Sequence, residues 1–376
     1  MTYTKRFFVV LSDVNKSEVL LEIIFKIFCN CENLTVVMIS NKKTLLESEL
    51  LNLGIPVTRL AFRNRISYIK VFYKLYISLI RSRSSDIFTS GQRASFVGML
   101  VSRILRISNR VFLRLHADYH YSGDLTFFKS KTGLILDKVT NVCSTRIIAV
   151  SNVVKNILIN QDKVRASKIK VINLGIKLND FTRSREIRTA NFELNTKFPT
   201  IGCIARITKL KGLIFVVEAF KKLLYDQPNA KLLLIGEKSD AWPEIEKKLI
   251  TLPTGSWNHQ DSIEDIPDFL SRLNVFIHVP TRLDAESFGL VFLESIASGV
   301  PSILTISGIM NELFDKEEYL NIVPYNNSQA IYFELRKIIL QKQIKALYPI
   351  ESLRKFDLNH MIEKYVSFFE FNQRGN

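Results

Sequence analysis

Cysteine is scarce in this chain: four in 376 residues, Cys29, Cys31, Cys143 and Cys203, with no Cys-x-x-Cys and no zinc-finger spacing. That excludes a disulfide-stapled scaffold and a structural zinc site, and it fits a reducing compartment. The Cys29/Cys31 pair ends an apolar helix-like run, where thiols are commoner as core than as ligands. Long hydrophobic runs are missing too. Nothing approaches about 18 uncharged apolar residues, so no membrane span is expected. The start, Met1 to Leu11, goes directly into a strand pattern and lacks the apolar length and cleavage signature of a signal peptide. There is no internal repeat and no low-complexity tract. A hydrophobic fraction of 47% with 23% charged residues is globular and argues against disorder.

Acidic residues are short in one half only. Residues 1–190 hold 31 Lys and Arg against 13 Asp and Glu, a net of +18, whereas residues 191–376 hold 21 against 23, a net of −2. A uniformly Lys-rich composition would not divide this way. The asymmetry points to an anionic surface met by the first half, either membrane or nucleic acid. Two helical runs there, Tyr68–Arg83 and Val101–Arg110, mix cations with aromatic and aliphatic residues, as faces that lie on anionic headgroups do. Their apolar sides are equally suited to a core.

Strand-like and helix-like segments alternate through residues 6–174, from Arg6–Ser12 and Glu18–Cys29 to Ile169–Leu174. Such alternation implies a parallel, doubly wound sheet. A polar, weakly periodic run, Thr182 to Lys197, reads as a linker. A second alternating series opens at Pro199 and includes the strands Lys231–Ile235, Val275–Val279 and Ser302–Ile306. The expected organisation is a first Rossmann-like domain over 1–181, a linker over 182–198, a second Rossmann-like domain over 199–355, and a closing helical segment over 356–376. Two doubly wound domains would face a cleft between the carboxyl ends of their sheets, where ligands usually bind.

Three strand–loop–helix stretches carry candidate chemistry. In Glu286-Ser-Phe-Gly-Leu-Val-Phe-Leu-Glu294 a helix is expected to begin near Gly289 and stop at Gly299, leaving Glu286 in the loop before it and Glu294 about a turn and a half inside. Free backbone N–H groups at such a start favour anions. In Ala205-Arg-Ile-Thr-Lys-Leu-Lys-Gly212, Arg206 leaves a strand and Lys211 precedes a helix, two cations suited to a diphosphate. In Arg114-Leu-His-Ala-Asp-Tyr-His120, His116 follows a strand and can hydrogen-bond a hydroxyl.

Taken in order, Arg206, Lys211-Gly212, Gly236-Glu237, the Glu286-x(7)-Glu294 pair and the Gly299-Val-Pro301 turn resemble the retaining glycosyltransferases of group 1, which include bacterial polysaccharide and lipopolysaccharide transferases. Ile148–Asn152, Val171–Ile176 and the tail Phe356–Tyr365 extend the resemblance over most of residues 86–370. It implies an α/β GT-B architecture whose last helix crosses back to the first domain. It also implies transfer of a sugar from a nucleotide-diphosphate donor to a glycan or polyisoprenyl-lipid-linked acceptor, at the inner face of a bacterial membrane. Glu286 would meet the donor sugar, Glu294 the ribose, and the backbone at Phe288, Gly289 and Leu290 the diphosphate. Arg206 and Lys211 would neutralise that diphosphate, and His116 would contact the sugar, with Asp118 and His120 as acceptor-side candidates. No cofactor and no metal are expected, which accords with the lack of any Asp-x-Asp.

Two departures stand out. Ser12-Asp-Val-Asn-Lys-Ser17 lacks the glycines with which many relatives shape the acceptor side, and Ile309 replaces a frequent second glycine in Ser307–Glu312. Beside the transferase reading stand a sugar epimerase of the same architecture and a basic nucleic-acid binder. The Glu-x(7)-Glu set weighs against the first, and the lack of any recognised nucleic-acid module against the second.

Overall fold

A computed structural model describes residues 5–12, 14–62, 67–115, 127–191, 197–313 and 315–369. The chain divides into two compact units, Met1–Leu174 with Leu358–Asn376, and Gly175–Asp357.

The first unit is built on seven parallel strands: β1 (Arg6–Ser12), β2 (Asn33–Ile39), β3 (Val57–Leu60), β4 (Asp86–Ser90), β5 (Asn109–Arg114), β6 (Arg146–Ala149) and β7 (Ile169–Val171). Their order is β3-β2-β1-β4-β5-β6-β7, so the chain reverses direction of growth between β1 and β4. Phe7 to Ser12 of β1 are all buried, the unbroken apolar run of a strand covered on both faces. The connecting helices are α1 (Glu18–Cys29), α2 (Leu45–Asn52), α3 (Ser67–Ser82), α4 (Gln92–Ile104), α5 (Phe127–Cys143) and α6 (Asn152–Asn160). Their starts are set by local chemistry. Ser17 caps α1 by accepting from the Leu20 N–H, and Thr44 and Glu47 form a reciprocal capping box on α2. Helices α3 and α4 pack on each other, as do α4 and α5. Val71, Leu75 and Leu79 of α3 join Val97 and Val101 of α4 over Phe8, Val10 and Ile87.

The second unit has six parallel strands: β8 (Thr200–Ile204), β9 (Lys231–Ile235), β10 (Trp257–Gln260), β11 (Val275–His278), β12 (Ser302–Leu304) and β13 (Asn321–Ile322). The order β10-β9-β8-β11-β12-β13 puts its reversal between β8 and β11. Around the sheet lie α7 (Leu178–Asn191), α8 (Leu213–Asp226), α9 (Trp242–Leu249), α10 (Ile266–Ser271), α11 (Leu290–Ala297), α12 (Lys316–Tyr319) and α13 (Ser328–Ile339). Phe220, Leu223, Ile245, Ile277 and Leu335 centre its core.

Helix α7 covers the first part of the run Thr182–Lys197, which the sequence pattern marks as a linker without indicating a helix. The helix has no apolar stripe, so periodicity could not reveal it. Tertiary contacts hold it instead. Leu178 and Phe181 are buried, Arg185 Nη1 donates to the Tyr348 carbonyl at 2.9 Å, and α7 packs on α10, α11 and the turn Ile350–Phe356. The last helix, α14 (Leu358–Phe369), belongs to the first unit. Its Phe369 ring meets Phe7 edge-on at 5.3 Å and Phe88 at 5.8 Å, and Arg146 Nη1 donates to the Phe368 carbonyl at 3.0 Å. Burying one such aromatic contributes about 2–3 kcal/mol.

Candidate functional site

The second unit gathers its polar side chains at the carboxyl end of its sheet, beside the reversal between β8 and β11. After β8 the chain runs through Arg206 into a tight turn, Lys209–Lys211, and then through Gly212 into α8. Gly212 has φ +69°, and a Cβ there would lie 2.2 Å from the Val279 carbonyl oxygen just past β11. No side chain fits at that approach. The Thr281 N–H donates to the Leu210 carbonyl at 2.9 Å, so the turn is laid against the end of β11.

This seating brings Lys211 to Glu286. Lys211 Nζ lies 2.6 Å from Glu286 Oε1, and His278 Nε2 donates to the same oxygen at 2.8 Å. The Glu286 backbone N–H donates to Ser307 Oγ at 3.1 Å, and that hydroxyl donates in turn to the carbonyls of Arg282 and Leu283. Both cation and imidazole therefore act on Oε1. Oε2 makes no hydrogen bond or ion pair among the described residues. Burial alone would push the Glu286 carboxyl up, but the Lys211 ammonium and the His278 N–H overcome it and hold it at about 2. His278 is 3% exposed, with Phe292 edge-on at 4.8 Å. Burial lowers its pKa, Glu286 opposes that and Lys211 adds to it, so the ring is neutral near pH 7.

Four residues past Glu286, α11 starts at Leu290 with Gly289 as its N-cap and no side-chain capping bond. Its first-turn N–H groups carry the helix's partial positive charge. Glu294 lies within this helix, half-buried, and its carbonyl accepts from Ser298 Oγ at 2.8 Å. Arg206 is exposed, and its guanidinium makes no ion pair among the described residues. Phe288 is buried, its ring 6.4 Å from Phe356, and its carbonyl accepts from the Ile309 N–H at 2.8 Å. Ile309 is itself fully buried.

Of the expected site residues, Lys211, Glu286, Phe288, Gly289, Leu290 and Glu294 thus lie along one loop–helix stretch and the turn bound to it. Lys211 and Glu286, read from sequence in separate roles, are in direct contact. His278 was not singled out, because one histidine inside an apolar strand reads as core. Its signal was its place as the last residue of β11, eight positions before Glu286. His116, Asp118 and His120 lie outside the described residues. Among the described residues no group of three or more His, Cys, Asp or Glu side chains is placed to hold a metal ion.

Residues 184–356 match the family model of glycosyl transferases group 1. That match spans nearly the whole of the second unit, and over it the chain is similar to that family. The enzyme class that follows is a glycosyltransferase of retaining type. The transferase is 25% identical over 292 residues to the capsular polysaccharide biosynthesis glycosyltransferase CapM of Staphylococcus aureus, covering 74% of this chain and 73% of that one. It is 27% identical over 309 residues to the O-antigen biosynthesis glycosyltransferase WclY of Escherichia coli, covering 76% and 79%. Its fold is that of Anabaena HepE, solved in complex with UDP and glucose, with a TM-score of 0.76 at 19% identity over 96% of this chain and 99% of that one. It is likewise that of WaaG, a glycosyltransferase involved in lipopolysaccharide biosynthesis, with a TM-score of 0.71 at 12% identity over 96% and 98%.

Proposed function

We propose that the transferase moves a sugar from a nucleotide diphosphate to a glycan or lipid-linked acceptor during assembly of a bacterial surface polysaccharide, at the inner face of the cytoplasmic membrane. The second unit holds the donor and the first holds the acceptor. The observation that carries the donor assignment is the pairing of Lys211 with one oxygen of Glu286, four residues from an uncapped helix start.

A nucleotide-diphosphate sugar presents hydroxyls at one end and charged phosphates in the middle. Glu286 Oε2 suits the sugar hydroxyls, since a carboxylate kept ionised by its neighbours accepts hydrogen bonds throughout the working pH range. Lys211, Arg206 and the N–H groups at Phe288, Gly289 and Leu290 suit the phosphates, and Glu294, further along α11, suits the ribose. His116, outside the described residues, is the further candidate for a sugar contact. When the sugar–phosphate bond breaks, negative charge grows on the departing diphosphate. A cation and helix N–H groups already in place stabilise that charge without reorganising, which is worth several kcal/mol of barrier. In this reading the leaving group is neutralised by the protein itself, without a metal.

Relatives that make capsule and O-antigen support the pathway class. The test is incubation with a panel of nucleotide sugars, with and without chelator, following released nucleotide and transfer to a lipid-linked glycan. Release with one donor, unaffected by chelator, is expected. Chelator-sensitive turnover would overturn the metal-free step, and an unaltered KM in Glu294→Ala would remove the ribose role.

A further inference from the structure

The face of the first unit formed by α3, α4 and α5 is unlike the rest of the molecule. These three neighbouring helices contain eight Lys and Arg and a single acidic residue, Asp137. Asp137 is buried and paired with Arg114 at 2.6 Å, so it contributes no negative charge to the surface. By contrast α1 and α2 carry Glu18, Glu22, Glu47 and Glu49.

Helix α3 adds a second, independent feature. Its buried side is Val71, Leu75 and Leu79, which leaves a second apolar line on the outside: Ile69, Tyr73, Ile77 and Ile80. Ile69 is 72% exposed, Tyr73 64% and Ile80 48%. Steps of three and four residues put them on one stripe, and the exposed Lys70, Lys74 and Arg81 run beside it. Single exposed apolar residues are ordinary, but a stripe of them bordered along one side by a row of cations is not. Nucleic acid would use the cations and gain nothing from Ile69 or Ile80. An anionic bilayer uses both, the headgroups meeting the cations and the apolar side chains entering the acyl boundary.

We propose that α3 is the membrane-docking element of this transferase, laid flat on anionic lipid with Ile69, Tyr73, Ile77 and Ile80 inserted and Lys70, Lys74 and Arg81 at headgroup level. The exposed Arg93 and Arg103 of α4 and Lys138 of α5 extend the contact. This rests on the reading above that the enzyme works at a membrane, and it specifies the surface.

The experiment is co-sedimentation of the full chain with phosphatidylcholine vesicles and with vesicles containing phosphatidylglycerol. Wild type is expected to bind the anionic vesicles only, and less at high salt. Lys70→Glu/Lys74→Glu and Ile69→Ser/Tyr73→Ser should each weaken binding by on the order of tenfold or more. Lys26→Glu/Lys43→Glu, the same charge change on the α1 and α2 side, should bind nearly as wild type. Nucleotide release from the donor should be unchanged in all three, which shows that they fold. If wild type binds neither vesicle, the membrane reading itself falls. If it binds but the α3 variants bind equally well, or the α1/α2-side variant loses as much, only the assignment to α3 is overturned. Binding of duplex DNA lost in the α3 variants, with no vesicle binding, would make the face a nucleic-acid surface instead.

Discussion

At the reversal point of each sheet a helix starts on a glycine pressed against the strand on the other side. In the first unit Gly91, at φ +86°, would put a Cβ 2.0 Å from the Ser12 carbonyl oxygen at the end of β1; in the second, Gly212 does the same against Val279 beyond β11. Around these matching joints the two units differ. Beside Gly212 stand Lys211, Glu286 and His278. Beside Gly91 the polar groups are turned inward. Ser12 Oγ accepts from the Ala94 N–H at 3.0 Å, and Gln92 Nε2 donates to Asp137 Oδ1, the partner of Arg114. Burial raises the Asp137 carboxyl against the pull of Arg114, as expected of an internal structural pair. On the first unit's helical side, α3, α4 and α5 hold eight Lys and Arg against one buried acid. Among the described residues, one architecture thus carries a lysine–glutamate–histidine cluster at the joint of one half and a buried structural pair at the matching joint of the other, so function has to be argued from side chains and not from topology.

The strongest way to break this contrast is to remove the cation from the second unit. Lys211→Ala should lower kcat/KM by about 10²–10³-fold, the usual loss when one preset stabiliser of developing charge is deleted. Lys211→Arg should recover part of it, although a planar fork replaces a point charge. The measurement is steady-state nucleotide release. A loss below about tenfold would mean that Lys211 serves only to hold Glu286.

Next in size are the two glycines. Gly212→Ala and Gly91→Ala each add a Cβ inside contact distance of a carbonyl and hold a left-handed backbone, for a loss of about 2–3 kcal/mol in chemical denaturation. The informative part is the difference. Gly212→Ala has to shift the turn that carries Lys211, so donor KM should rise well beyond what lost stability explains. Gly91→Ala should leave donor KM unchanged, and an equal rise in both would erase the functional distinction between the two joints.

Sequence pattern revealed more of the scaffold than of the site's wiring. The edges of β1 and α1 fall where the pattern puts them, since the apolar run of β1 and Ser17 before Glu18 are local signals. Helix α7 was illegible because contacts from Tyr348 and from distant helices hold its polar sequence. The Glu286-x(7)-Glu294 spacing marked the stretch but could not show that a turn 75 residues upstream delivers Lys211 to Glu286, which depends on how β8 and β11 pair. His278 was hidden for the same reason. An apolar strand advertises burial, whereas a hydrogen bond to a loop eight residues later depends on how that loop folds back.

The smallest expected effect isolates that histidine. Because burial lowers the folded pKa of His278, the unfolded chain binds a proton more readily than the fold does. The stability that follows is present above the ordinary histidine value of about 6.5 and is lost as pH falls below it. Glu286 has the depressed pKa of a stabilised carboxylate, so its contribution is present above the ordinary value of about 4.3 and goes only as pH falls toward about 2. Between pH 8 and pH 5, therefore, His278 is the member of the pair whose contribution changes. His278→Gln keeps an N–H to donate to Glu286 and removes the titration. Urea unfolding of wild type should show stability falling over that range, and the variant should fall less. Equal slopes would mean that the folded imidazole takes up a proton as readily as the unfolded one, so that burial does not lower its pKa.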